Sequence, residues 1–179
     1  TRGAALTPVL MGYWSLLNHQ KIAGENAKLS LVPGQVAQNW RAVSEQMKSA
    51  QHAMLAEQVL PAVEAQMLLA HNEGVPLLAG SNAGAYFSIP GFSLHQELAL
   101  MVRAGLSDAE VLKAATINAA TRFGLEKREG QVKGGFRANM VLLSQNPLTN
   151  IRALDNIEGL VLKGRYLTRQ QLDAHLPAQ

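Results

Sequence analysis

Gly74-Val75-Pro76-Leu77-Leu78-Ala79-Gly80-Ser81-Asn82-Ala83-Gly84 decides the fold. Val75 to Gly80 is a continuous apolar run, the pattern of a parallel strand covered on both faces; a strand wet on one face would alternate. The polar loop Gly80 to Gly84 follows at once. Parallel strands of α/β folds carry their sites at the carboxyl end, so this loop is the first place to look for chemistry. Three glycine-loop chemistries fail there. A phosphate loop wants GKS or GKT, and Gly84 is followed by Ala85-Tyr86. A dinucleotide fingerprint wants G-x-G-x-x-G, which is missing. A nucleophile elbow wants serine at the centre of G-x-S-x-G, where Asn82 stands. Ser81 has no evident base beside it in sequence, so it is not read as a nucleophile.

Working outward, Leu6 to Gly12 is a second short apolar run, compatible with a buried strand, and Tyr13 to Gly34 reads as a loop excursion punctuated by Gly24, Pro33 and Gly34. From Trp40 the spacing becomes helical, with Trp40, Val43, Met47, Ala50 and Met54 on one face. Pro61 either kinks that helix or opens a second one, where its missing N–H costs nothing. On the other side, Ser93-Leu94-His95-Gln96 and Ser107-Asp108-Ala109-Glu110 fit the capping-box pattern of helix starts, and Gly105 and Gly124 sit where C-terminal caps belong. Beyond Gly124 the runs Met140 to Leu143 and Leu160 to Leu162 are short and separated by Gly, Asn and Pro. Lys163-Gly164 can turn the second run into Arg165-Tyr166-Leu167. Residues 1–124 therefore form one expected unit and residues 125–179 a second, built from a few strands.

Composition narrows the function. With 47% hydrophobic and 16% charged residues, the 179-residue chain can bury a real core and lacks the signature of disorder. No apolar run reaches the roughly 20 residues that span a bilayer, so no membrane partner is expected. The 16 Lys and Arg are scattered, without a basic stripe interleaved with aromatics, so no nucleic-acid partner is expected either. Zero cysteines removes thiolate nucleophiles and Cys-based zinc sites but leaves cytoplasm and periplasm both open. Thr1 is not a Met and no signal peptide follows it, so an upstream piece is expected. His19, His52, His71, His95 and His175 form no H-x-H or H-E-x-x-H pair. His52 and His71 read as helix residues. His95 lies in the first turn of a helix just after the Asn82 loop, either a polar residue on an exposed face or a substrate contact. Tyr86 and Phe87 wall a cavity or pack in the core.

At these residues the sequence resembles a family. GVPLLAGSNAG, then PGFSLHQELALMVRAGLSDAEVLKAATINAATRFGL, then GQVKGGFRANMVLLSQNPL and VLKGRYL follow, in order, the closing segments of amidohydrolases, most like the imidazolonepropionase-like and Xaa-Pro dipeptidase-like branch. The likeness covers roughly Glu73 to Leu167. It implies an α/β fold, the C-terminal portion of a metal-dependent hydrolase (β/α)₈ TIM barrel plus strands of a small β-sandwich built from both chain ends. Leu6 to Gly12 would resemble the seventh barrel strand and Trp40 to Glu73 the helix after it. It further implies a divalent metal, zinc above others, in the whole family protein, held by an H-x-H, a carboxylated Lys or Glu, two later histidines and an Asp of a G-T-D-A-like motif on strand eight. That Asp also takes a proton from the attacking water.

Here the Asp position is Asn82, and the segments for the other ligands are expected upstream of Thr1. An amide oxygen touches a metal weakly at most and cannot take a proton at neutral pH, and a general base is worth about 10²- to 10⁴-fold in rate. The chain alone is thus expected to bind no metal and to be inactive. It reads as the C-terminal part of a hydrolase of non-peptide or dipeptide C–N bonds with a small-molecule substrate. The alternative is a pseudoenzyme or assembly subunit whose cleft is formed around Asn82, Tyr86 and His95. Exposed barrel edges predict self-association or a partner in the missing N-terminal half. The tail strands, lacking those they would borrow, are expected to be least protected in hydrogen exchange. The family's A-D-L-V segment reads Ala138-Asn139-Met140-Val141 here, a departure at a structural residue.

Overall fold

The computed structural model describes residues 3–25, 27–47, 50–85 and 87–176, and within them all side chains except those of residues 25, 27 and 50–56. Tyr86 lies outside the described residues. Two segments that the sequence marks as buried strands do pair, but narrowly. Leu6 and Leu77 form a parallel bridge, with Leu6 N–H donating to Pro76 O at 3.0 Å and Leu78 N–H to Leu6 O at 2.9 Å. Helices complete the far side: Ala79 N–H donates to Ala114 O at 3.2 Å, and the Asn118 side-chain amide to Leu77 O at 3.0 Å. Pro76, which has no N–H, contributes a carbonyl.

The expected strand Leu6–Gly12 is therefore cut short. From Leu10 the chain turns into helix α1 (Leu10–Leu17), followed by α2 (His19–Glu25) and a 3₁₀ turn over Ala27–Leu31. The stretch read as an irregular loop is thus largely helical. Its apolar residues Ile22, Ala23 and Leu29 are buried, and that burial outweighs the loop signals of Gly24 and Pro33. The next helix, α3 (Gly34–Gln46), begins six residues before Trp40, and α4 (Ala50–Asn72) is continuous through Pro61. The exposed ring of Pro61 interrupts one backbone bond without ending the helix.

Then come α5 (Phe92–Arg103), α6 (Asp108–Ala115) and α7 (Ile117–Arg122). Ser107 and Glu110 form the expected capping box, and their bonds hold Glu110 below the usual carboxylate range. The expected box at Ser93 is absent. Gly91 occupies the N-cap, and Ser93 is buried inside the helix with its N–H on Ile89 O at 2.9 Å. Gly105 and Gly124 close α5 and α7 in the left-handed conformation that glycine adopts freely. The following residues, Leu106 and Leu125, donate back to Met101 O and Ala120 O.

The tail holds β1 (Met140–Leu143), β2 (Ile157–Leu162) and β3 (Arg165–Thr168), an antiparallel sheet in the order β1-β2-β3. Lys163 and Gly164, at φ 52 and 82, make the tight turn between β2 and β3, with Leu162 paired to Arg165. Asn139 serves this turn: its side-chain oxygen accepts the Lys163 N–H at 2.8 Å. An amide oxygen fills this acceptor role as a carboxylate would, so the departure at this residue leaves the turn intact. Between β1 and β2 runs a 3₁₀ turn, Ile151–Asp155, whose Ile151 joins the main core with Leu10, Met67, Leu77, Leu98, Met101 and Val111. A second core gathers Ile22, Leu29, Trp40, Phe87 and Ile89. The Asn82 loop lies between the Leu77 bridge residue and Phe87.

Candidate active site

Asn82 is exposed at φ 50, and no hydrogen bond to its side chain is present among the described residues. Asparagine tolerates this left-handed conformation better than most residues. The loop around it is tied down. Ser88, fully buried, donates its hydroxyl to Ser81 O at 2.8 Å. Ala85 N–H donates to Asn82 O and Gly84 N–H to Ser88 O, both at 3.1 Å. Immediately before Ser88 stands Phe87, also left-handed at φ 62, its ring buried 5.7 Å from the Trp40 ring and 6.1 Å from that of His19. Of the two readings open for Phe87, core packing describes it, although its ring also borders a neighbouring cleft.

His95 faces that cleft, a hollow of about 150 Å³ walled by Met11, Trp14, Phe87 and Phe92. Its Nδ1 lies 3.2 Å from Asp155 Oδ1, and Asp155 in turn stands 3.7 Å from the Arg152 guanidinium, which donates to Gln96 at 3.1 Å. The polar rim therefore ties the start of α5 to the tail. Asn82 is not among the residues lining this cleft. The remaining histidines are spread out. His71 is 2.9 Å from Glu110, buried His19 is 2.8 Å from the Ser44 hydroxyl, and His175 bonds Gln171 O. The side chain of His52 lies outside the described residues.

Sequence reading missed Glu97. It sits on the inward stripe of α5 with Ser93, Leu100 and Met101 and is fully buried. Its two carboxyl oxygens accept the N–H groups of Leu10 at 3.0 Å and Met11 at 2.5 Å. Burial pushes this carboxyl up to about 7, against the downward pull of the N–H groups of Met11, Leu10 and Val9. The signal was available, because a charged residue three and four positions from Leu100 and Met101 lies on an otherwise apolar face.

Solved structures set this fold among hydrolase barrels. A bottromycin amidohydrolase matches with a TM-score of 0.76 at 23% identity, over 94% of this chain and 38% of that one. A Xaa-Pro dipeptidase with bound methionine in its active site matches with a TM-score of 0.62 at 18% identity, over 93% and 35%. The chain belongs to the amidohydrolase family, whose model matches residues 17–167. Over 85 residues it is 42% identical to an imidazolonepropionase from Rubrobacter xylanophilus, 47% of this chain and 20% of that protein. The chain thus spans about a fifth of that relative and little more than a third of the solved chains. Resemblance and fold class both stand as read from sequence: part of an α/β hydrolase barrel with a small antiparallel sheet.

The family is generally metal-dependent. Among the described residues no group of three or more His, Asp or Glu is placed to hold an ion. The Asn82 loop offers one exposed, neutral amide oxygen, whereas a tightly held divalent ion takes several ligands. The described side chains do not fit that ion, and no chemical step follows through it. No helix among the described residues is long and apolar enough to cross a membrane.

Proposed function

We propose that the protein is a hydrolase of non-peptide or dipeptide C–N bonds, that this chain is its C-terminal part, and that the chain is inactive by itself. The observation that carries the reading is Asn82: an exposed, neutral amide on a pinned loop just past the Leu77 bridge, in a chain of the amidohydrolase family. Such a loop is placed for strand-end chemistry but offers no base. On this reading residues 1–124 belong to the barrel and 125–179 to the sandwich, and the missing ligands come from the rest of the protein. The exposed Val141, Leu142, Leu162 and Tyr166 of the small sheet are covered by that remainder or by self-association. The test is elemental analysis of the purified chain together with turnover of dipeptides and cyclic amides in added zinc. The expected result is substoichiometric zinc and no hydrolysis; a stoichiometric ion with turnover defeats the proposal.

A second reading is a non-catalytic relative, favoured by the same neutral residue at position 82. The two separate in the protein joined to its remaining segments. Hydrolysis that rises about 10²- to 10⁴-fold in Asn82→Asp marks an enzyme handicapped at its base, and none in either form marks a binding protein.

A further inference from the structure

The hydrolase reading leaves Glu97 unused, yet three observations converge on it. Its carboxylate supplies the cap that α1 otherwise lacks: Val9, the N-cap residue, makes no side-chain cap bond, and the free N–H groups of Leu10 and Met11 go to Glu97. Val9 sits at φ 54 and ψ 45, a left-handed conformation that a β-branched side chain resists. Strained backbone of this kind persists only where the surroundings over-determine it. The strained turn also ends the segment that abuts the candidate site. Leu6 pairs with Leu77, and the Thr7 methyl would stand 2.8 Å from a Cβ placed on Gly80, two residues before Asn82.

We propose that Glu97 is a positioning residue: its buried carboxylate fixes the Val9 turn and, through it, the strand end against which the Gly80–Asn82 loop is set. As a role in hydrolysis this rests on the amidohydrolase reading; as a tether between α5 and the turn it does not. Ionisation governs the tether, because a carboxylate accepts both N–H bonds with full charge while the protonated acid turns one oxygen into a hydroxyl. No neighbouring charge shares the task. His95 and Arg152 engage Asp155, Arg103 engages Glu64, and His71 engages Glu110. Tyr13 on α1, His19 and Lys21 on α2, Glu57 on α4 and Asp108 and Lys113 on α6 are the other titratable side chains described on the elements packed nearby. None of these groups contributes to the upward push on Glu97, which comes from burial alone, opposed by backbone N–H groups.

The test follows backbone amides of the 179-residue protein by NMR across neutral pH. The expected result is that Leu10 and Met11 titrate together near neutrality and that Gly80 and Ser81 shift with the same midpoint. In Glu97→Gln this common titration vanishes, and amide exchange at Leu10 and Met11 quickens roughly 10- to 100-fold, the worth of a bond to a charged acceptor. Should Glu97→Gln fail to fold, the wild-type pH series decides alone, with Glu97→Asp as the second variant, shorter by one methylene. Leu10 and Met11 that do not titrate, or that titrate while Gly80 and Ser81 stay still, overturn the proposal. Turnover assays test the hydrolase reading and leave these amides unaffected, so the two failures are distinguishable.

Discussion

Ser88→Ala tests whether the loop carrying Asn82 is held by one buried hydroxyl. Ser88 is fully buried and its Oγ donates to Ser81 O at 2.8 Å, while its backbone N–H and C=O bond Ala85 and Gly84. Removing the hydroxyl leaves the half-buried Ser81 carbonyl without its donor, a loss of about 1–3 kcal/mol at most. At roughly 2–4 °C per kcal/mol for a chain of this size, a loss near 2 kcal/mol lowers Tm by about 4–8 °C. Calorimetry reads the global change. Hydrogen exchange at Gly84 and Ala85 reads the local one, and it should rise in Ser88→Ala. Ser107→Ala is the control: it breaks an exposed capping box at a cost of about 1 kcal/mol and should leave Gly84 and Ala85 as they were. A Ser88→Ala protein with unchanged Tm and unchanged exchange at those amides would refute the idea that this hydroxyl pins the loop.

Gly130→Ala should cost about 2–5 kcal/mol by urea unfolding, since φ is +86 and the new methyl would meet Ala120 Cβ at 2.8 Å and Ile117 Cα at 2.9 Å; a loss too small to measure contradicts the packing there. Glu97, raised from 4.5 to about 7, contributes stability that is fully present below pH 4.5 and is lost as pH rises through 7, about 3 kcal/mol in all. The wild-type-minus-Glu97→Gln difference in unfolding free energy should fall across that window, and a flat difference disposes of the claim. Asn82→Asp should leave stability within about 0.5 kcal/mol, because the side chain is exposed and aspartate also tolerates the left-handed region; a marked drop in Tm would reveal a bond to the Asn82 amide.

Local signals in the sequence translated well where the cause was local. The Ser107 capping box, the caps at Gly105 and Gly124 and the Lys163-Gly164 turn depend on neighbours within a few residues, and all appear where the residues put them. The run Val75 to Gly80, expected as a strand covered on both faces, makes one parallel bridge at Leu77, with Pro76 exposed and Leu78 to Gly80 half-buried, because its pairing depends on the distant Leu6. Long-range demands were not legible. Leu10 to Leu17 carries an apolar pattern that strand and helix share; its burial against α4 and α5 decides for helix. Ser93 fits a cap pattern, but Ile89 accepts its N–H, so the helix starts earlier. Glu97 is meaningful only through Leu10 and Met11, 87 and 86 residues away, and no spacing rule reaches that far.

Among the described residues, the non-glycine positions with positive φ are Val9, Asn82, Phe87 and Lys163. Lys163 belongs to a hairpin turn that demands it. The other three bracket the candidate site, and each left-handed residue of this kind costs about 1–2 kcal/mol. Two of them are held by contacts distant in sequence rather than by local preference: the Val9 turn by the bonds of Leu10 and Met11 to the Glu97 carboxylate, and Phe87 by its buried ring against Trp40. Together that is a sizeable fraction of the roughly 5–15 kcal/mol by which a domain is stable. Asn82 adopts the same conformation with no described group gripping its side chain. The framework around position 82 is thus rigid and costly, while the group it presents is neutral and exposed. Positioning and reactivity are separable in this chain, so an acid introduced at position 82 would meet a backbone already shaped to carry it.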